Sequence, residues 1–181
     1  MKILGLDSSG IVASVAIVED ENLIAEYTVN YKKTHSQTLL PMLDELVKMT
    51  ELDLDTIDAI AVAAGPGSFT GLRIGSATAK GLGLALKKPL VEIPTVDALA
   101  YNLYDSRALI CPIMDARRSQ VYTGIYRFQE HKLVTVEAQM AVPMAEMIEK
   151  LNARGEEVVF LGDGVPVFGK MIQENLKVPY S

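Results

Sequence analysis

One cysteine, Cys111, stands among 181 residues, and a lone thiol excludes an internal disulfide framework. Histidine is nearly as scarce. His35, His131 and Cys111 make three His/Cys ligands in all, too few for a tetrahedral zinc site built from those residue types. Neither histidine sits in an HxxxH or HxxE pattern, so each reads as a surface or capping residue. No basic run occurs: 17 Lys and Arg face 23 Asp and Glu, a net charge of −6. That excludes the electrostatic footprint by which a chain holds nucleic acid on its own. The longest uncharged stretch, Ala59 to Leu72, has 14 residues and is interrupted by Pro66 and glycines, too short to span a membrane. Asp7 follows too closely on Met1 for an export signal, so a reducing, cytoplasmic location is the expectation.

What is present suits a globular chain, 49% hydrophobic and 22% charged, in one large domain or two small ones. At this length roughly 70% of the unfolded surface is buried on folding, enough for a core without staples. Ile3–Leu6, Ile11–Val18 and Asn22–Tyr31 read as three strands, the first two joined by the turn-forming Asp7-Ser8-Ser9-Gly10. Leu39, Leu40, Met42, Leu43, Leu46 and Val47 then recur at helical spacing. Thr34-x-x-Gln37 has the spacing of a capping box, but Pro41 opposes so early a start, and the helix is expected to begin near Thr38. Ile57–Ala64 reads as a buried strand running through Gly65-Pro66-Gly67-Ser68 into a helix over 69–86. Leu90–Ile93 and 95–104 add a strand and a helix.

The pattern then repeats. Strands at 108–114, 120–128 and 132–138, a helix at 143–151, a strand at 157–161 and a helix at 165–176 give a second βββαβα series. Asp115 falls where Asp7 falls, and Gly162-Asp163-Gly164 where Gly65-Pro66-Gly67 falls. Two copies of one α/β unit are expected, residues 1–106 and 107–181, the second cut short after a helix with no strand to follow it.

Candidate chemistry is sparse. Asp7 and the small residues after it suit either a phosphate cradle or an ordinary Asx turn. The Gly65 loop precedes a helix N-terminus, where amides attract anions, yet it matches neither the P-loop nor the dinucleotide fingerprint. Gly71, Gly75, Ala79 and Gly83 recur every four residues along one helix face. Gly75, Gly81 and Gly83 forgo roughly 3 kcal/mol of intrinsic helicity, so close approach of a partner, inside the chain or on another, is expected to offset the loss. Asp7, Asp115 and Asp163 all end strands and form the one candidate acidic cluster. Cys111 reads as a buried strand residue.

Lys2-Ile3-Leu4-Gly5-Leu6-Asp7-Ser8-Ser9, His35-Ser36-Gln37 through Pro41 and, most specifically, Gly65-Pro66-Gly67-Ser68-Phe69-Thr70-Gly71-Leu72-Arg73-Ile74-Gly75 resemble the TsaB (YeaZ) family. The likeness continues through Ala77–Leu82 and Pro94-Thr95, and less distinctively at Met114-Asp115-Ala116-Arg117-Arg118 and Val121-Tyr122. It implies two ribonuclease-H-like lobes of the actin, Hsp70 and sugar-kinase superfold, and a role in making threonylcarbamoyladenosine in tRNA. In the family the transfer falls to a paralogue, TsaD, whose metal is held by two histidines four apart. The matching positions here hold Thr95 and Leu99, which cannot replace imidazole ligands, so the resemblance implies no catalytic residue and no metal. The implied role is a partner that binds and activates TsaD and, through that complex, meets the TsaE ATPase and tRNA. A homodimer is the other candidate assembly. An ATP-binding phosphotransferase of the same superfold is the alternative, with Asp7, Ser8, Gly65 and Gly67 as its nucleotide contacts. Otherwise no cofactor beyond weakly held ATP or ADP is expected. The glycoprotease label attached to this superfamily has no motif here. The implied interface joins Leu39, Met42, Leu43 and Leu46 of one helix to Gly71, Arg73, Gly75, Ala79, Lys80 and Gly83 of the other.

With a net charge of −6 the chain supplies no counterion-release term for polyanions. The lone protein is therefore expected to bind tRNA weakly and without sequence preference in a filter or fluorescence assay at physiological salt. Sub-micromolar affinity in the absence of a partner would contradict this.

Overall fold

The computed structural model describes residues 1–31 and 35–181 and divides into two units, Met1–Thr95 and Val96–Ser181. In the first unit β1 (Lys2–Asp7), β2 (Ala13–Glu19) and β3 (Asn22–Val29) form an antiparallel meander. α1 (His35–Thr50) follows, then β4 (Ala59–Gly65), α2 (Phe69–Leu86) and β5 (Leu90–Pro94). The sheet order is β3-β2-β1-β4-β5, with β4 parallel to both of its neighbours. Strand alternation puts Leu4, Leu6, Val15, Ile17, Ile60 and Val62 on one face. There they meet the apolar stripe of α1, Leu39, Met42, Leu43 and Leu46, in a single core. β4 is covered less evenly than its continuous apolar run suggests, for Ala61 and Ala63 on its other face are only half-buried. A short 3-10 turn at Leu54–Thr56, capped by the Asp53 carboxylate on the Asp55 amide, had no clear sequence signal.

α1 begins at His35, three residues earlier than expected, and carries Pro41 inside it. Pro41 and Gln37 are both exposed, so the carbonyl that loses its helical partner at Gln37 faces water. Thr34, the first residue of the expected capping box, lies outside the described residues.

The second unit repeats the plan. α3 (Thr95–Tyr101) leads into β6 (Leu109–Arg117), β7 (Gln120–Gln129) and β8 (Lys132–Pro143), then α4 (Met144–Arg154), β9 (Val158–Leu161) and α5 (Val165–Asn175). The sheet order is β8-β7-β6-β9, the same as β3-β2-β1-β4. Leu109, Cys111, Ile113, Val121 and Ile125 pack under Met144, Met147, Ile148, Leu151, Phe168 and Ile172 of the two following helices. The opposite face is covered as well, where Ile110, Met114 and Tyr126 meet Val96 and Ala100 of α3. Tyr126, fully buried, donates its hydroxyl to Asp97 at 2.6 Å. Burial first, and that bond second, push its phenol well above the usual range.

Two expectations are corrected here. The boundary lies between Thr95 and Val96 rather than at residue 106, because the buried side of α3 packs on β6 and β7. And the residues after α5 do reach the sheet: Tyr180 makes an isolated parallel bridge to Val158 of β9, the Val158 and Phe160 amides donating to the Pro179 and Ser181 carbonyls at 3.0 and 2.9 Å. They take the place that β5 takes beside β4. Among the described residues no helix is long and apolar enough to cross a membrane.

β8 and α4 are tied by charge. Glu137 accepts from Arg154 at 2.6 Å and from Lys150 at 3.2 Å, and its carboxyl is held below the usual glutamate range, chiefly by the Arg154 bond. A lowered carboxyl contributes stability above the unfolded-state pKa and loses it as pH falls through the folded one. Glu137→Gln is therefore expected to melt below wild type at neutral pH, with the gap closing as pH drops below about 4. Thermal scans across that range check this, and a gap independent of pH would contradict it.

Candidate functional site

The end of β1 and the start of α2 are bound into one object. Asp7 ends the strand, and its Oδ1 accepts the Ser9 amide at 2.7 Å, an Asx turn. Ser8 and Ser9 are buried. The Ser8 hydroxyl donates to the Gly71 carbonyl at 2.9 Å, and the Ser9 carbonyl accepts the Ser68 amide at 2.6 Å. Ser68 is the N-cap of α2, its hydroxyl accepting the Gly71 amide at 3.3 Å. His35, at the head of α1, bonds the Gly10 carbonyl through Nε2 at 2.8 Å, so that nitrogen carries the proton. Behind the loop, Gly65 has φ +106° and donates its amide to the buried Thr95 hydroxyl at 3.2 Å. Asp7, Ser8, Gly65 and Gly67, the candidate nucleotide contacts, are thus brought together around this latch.

The glycines make so close an approach possible. A methyl at Gly67 would overlap the Ser9 carbonyl, and one at Gly71 the Ser8 carbonyl. At Gly75 it would press on the Ser8 hydroxyl, and at Gly83 it would lie 2.9 Å from the Leu90 side chain. Gly71, Gly75, Ala79 and Gly83 therefore face into the unit, not outward as the partner interface requires. Leu39, Met42, Leu43 and Leu46 are likewise core residues of α1. Of the expected interface, Arg73 and Lys80 alone are on the surface. Periodicity shows that four residues share a face but not which way that face points.

The outward stripe of α2 is Phe69, Arg73, Ala77, Lys80 and Leu84, all exposed at helical spacing, Phe69 by 70% and Leu84 by 83%. The Arg73 guanidinium lies 4.2 Å over the Phe69 ring. A cavity of about 530 Å³ runs alongside, bounded by Leu72, Ser76 and, from β5, Glu92. Sequence reasoning passed over Phe69, Ala77 and Leu84 because the glycine row is the louder periodic signal. Their four-residue spacing around Arg73 was the signal available.

The second unit reproduces the frame with different side chains. Asp115 Oδ1 accepts the Arg117 amide at 2.8 Å, as Asp7 accepts Ser9. Gly162 has φ +106°, the value at Gly65. Asp115 and Asp163 do meet, the Asp115 amide donating to Asp163 Oδ1 at 3.1 Å, whereas Asp7 belongs to the other unit. Among the described residues no group of three or more His, Cys, Asp or Glu is placed to hold a metal. Cys111 is fully buried beside Thr123, and burial pushes its thiol up to about 12, which leaves it inert as a nucleophile. His131 pairs with Asp105 at 3.1 Å on the surface.

Comparison with known proteins fits this geometry. Residues 22–178 match the family model described as "TsaD: tRNA N6-adenosine threonylcarbamoyltransferase". The "tRNA threonylcarbamoyladenosine biosynthesis protein TsaB" of Bacillus subtilis (strain 168) is 36% identical over 97% of this chain and 77% of its own length. The structure "YeaZ from Pseudomonas aeruginosa" superposes with a TM-score of 0.83 at 27% identity, covering 99% of this chain and 83% of that one. At 14% identity the activator of the 2-hydroxyisocaproyl-CoA dehydratase from Clostridium difficile shares the actin-like fold, with a TM-score of 0.52 over 100% of this chain and 88% of that one.

The latch makes two glycines of one helix respond oppositely to alanine. Gly71→Ala meets backbone, so it is expected to destabilise by about 1–3 kcal/mol despite alanine's better helicity. Gly81 meets nothing within 4 Å, so Gly81→Ala is expected to stabilise by up to about 1 kcal/mol. Urea unfolding of the two variants checks the pair, and equal shifts would show that the glycine row is not packed on the turn.

Proposed function

This chain belongs to the TsaB family, and we propose that within tRNA threonylcarbamoyladenosine biosynthesis it is a non-catalytic partner that binds and activates the TsaD transferase. The observation that carries the reading is what has become of the two positions where the paralogue keeps metal ligands. Thr95 is buried, its hydroxyl engaged by the Gly65 amide. Leu99 packs as a hydrophobic residue against the cluster around Ile110 and Tyr126. Both positions serve the fold, and neither offers a ligand. The Asp7 turn supports the same reading, for its Asx bond and the Ser8 and Ser9 contacts hold α2 in place.

The surface that meets TsaD is then the outward stripe of α2, Phe69, Arg73, Ala77, Lys80 and Leu84, in place of the glycine row behind it. Its exposed aromatic and leucine supply apolar area, and its two cations set register against an acidic counterpart. TsaE and tRNA are engaged through that complex.

Mixing the chain with a TsaD protein is expected to give a joint peak on a sizing column, and TsaD turnover is expected to rise when the chain is added. Leu84→Glu together with Lys80→Glu should abolish the joint peak while leaving the lone variant's melting temperature near wild type, because both side chains are exposed. The lone chain should show no threonylcarbamoyl transfer with any added divalent metal. Unchanged co-elution of the double variant would remove α2 from the interface, and metal-dependent turnover by the lone chain would overturn the non-catalytic reading.

A further inference from the structure

The strands that end the two sheets are protected unequally. An edge strand carries a row of backbone donors and acceptors with no partner, and charge, proline or a covering segment ordinarily blunts it. β8, one edge of the second sheet, opens on Lys132 and ends in Pro143. The outer side of β9 is covered by the bridge at Tyr180. β5 has only five residues, with Glu92 and Pro94 among them. β3 has neither lysine nor proline, and it exposes Leu23, Ile24 and Tyr27. Its register with β2 shifts near Ile24, opposite Ile17 and Val18, so 25–29 runs on as regular strand.

Beside that regular stretch lies a groove of about 500 Å³. One wall is Tyr27 and Val29 of β3, two apart and therefore on one side, with Tyr31 just beyond them. The other wall is α1, at Gln37, Pro41 and Glu45, one turn apart. Pro41 has no N–H to give, so the Gln37 carbonyl stands at the groove as an acceptor without a helical partner. Glu45 is exposed and among the described residues makes no ion pair, Lys48 being bonded to Asp44 at 2.6 Å. The described lining thus joins aromatic rings to acceptors and holds no lysine or arginine.

We propose that β3 and this groove bind an extended peptide, which joins the five-stranded sheet as a sixth strand and turns an apolar side chain and a Lys or Arg into the groove. The unpaired backbone of 25–29 calls for an extended partner, since a helix keeps its own N–H and C=O groups occupied. Alternate side chains of the added strand fall on the groove side. Val29 and the tyrosine rings receive the apolar one. Glu45 and the Gln37 carbonyl receive the cationic head, whose stem lies along the rings. This surface lies on β3 and α1, apart from the α2 stripe, so each can fail without the other.

The probe is the end-blocked synthetic peptide Thr-Val-Thr-Leu-Thr-Arg-Thr, titrated into the full chain and followed by amide NMR and hydrogen exchange. Saturable shifts confined to 23–31 and 35–45 are expected, with exchange slowed at alternate amides of 25–29. Methylating every second peptide nitrogen should abolish binding in one frame and spare it in the other, because only one set of amides faces β3. Glu45→Gln should weaken the peptide about fivefold and leave the version carrying Gln in place of Arg unaffected. Tyr27→Ser, at an exposed side chain, should weaken both versions. Spectra unperturbed away from the groove establish that each variant is folded. No saturable shift, equal binding by the two methylated frames, or undiminished affinity in Glu45→Gln would overturn the proposal. So would broadening of 23–31 that grows with protein concentration in the absence of peptide, since the edge would then pair with a second copy of the chain.

Discussion

The first unit depends on one close approach. The Ser8 and Ser9 carbonyls lie where the Cβ atoms of Gly71 and Gly67 would be, so the turn after β1 can rest directly on α2. Every other latch follows from that proximity. The Ser8 hydroxyl reaches the Gly71 carbonyl, the Ser68 amide reaches Ser9, and His35 reaches Gly10 from the head of α1. These bonds satisfy polar atoms that would otherwise be buried alone, and such an orphan costs about 1–3 kcal/mol. The helicity forgone by α2 at its glycines is offset locally, by contacts within one unit. The glycines of α2 thus secure the helix to its own strand.

The two units show how far one backbone frame can diverge. Sheet order, the Asx turn at the end of the leading strand and the left-handed glycine after the fourth strand are common to both. What differs is the residue beneath the turn. Glycine brings the first turn onto its helix, while Phe168 and Ile172 stand at the matching positions of α5 and pack into the second unit's core. The second unit makes up cohesion elsewhere, through a core on both sheet faces and the Glu137 bridge to Arg154 and Lys150.

Much of this was legible before any coordinates, and the misses have physical reasons. The βββαβα repeat, the span of α2 and the equivalence of Asp7 with Asp115 follow from period and turn chemistry, which are local. The boundary at Thr95 does not, because α3 joins the second unit through Val96, Ala100 and Asp97, contacts to strands that come later in the chain. The early start of α1 needed tertiary information too, since Pro41 is harmless only because its turn faces water. The glycine row was read correctly as a face requiring close approach. Its direction was not readable, because a stripe of small residues has the same period whether it meets a sheet or a stranger. The bridge at Tyr180 escaped notice because three residues carry no periodicity.

The same logic bears on Thr95 and Leu99, the two positions on which the proposed role rests. Thr95 supplies an acceptor for an amide that the Gly65 loop, with its left-handed glycine, would otherwise bury without one. Leu99 adds apolar area to the cluster that decides which unit α3 belongs to. Each side chain therefore stabilises the fold at a point where the frame is strained or undecided. Histidine at both positions would cost the Gly65 bond and part of that cluster, so both side chains are held in place by the fold itself.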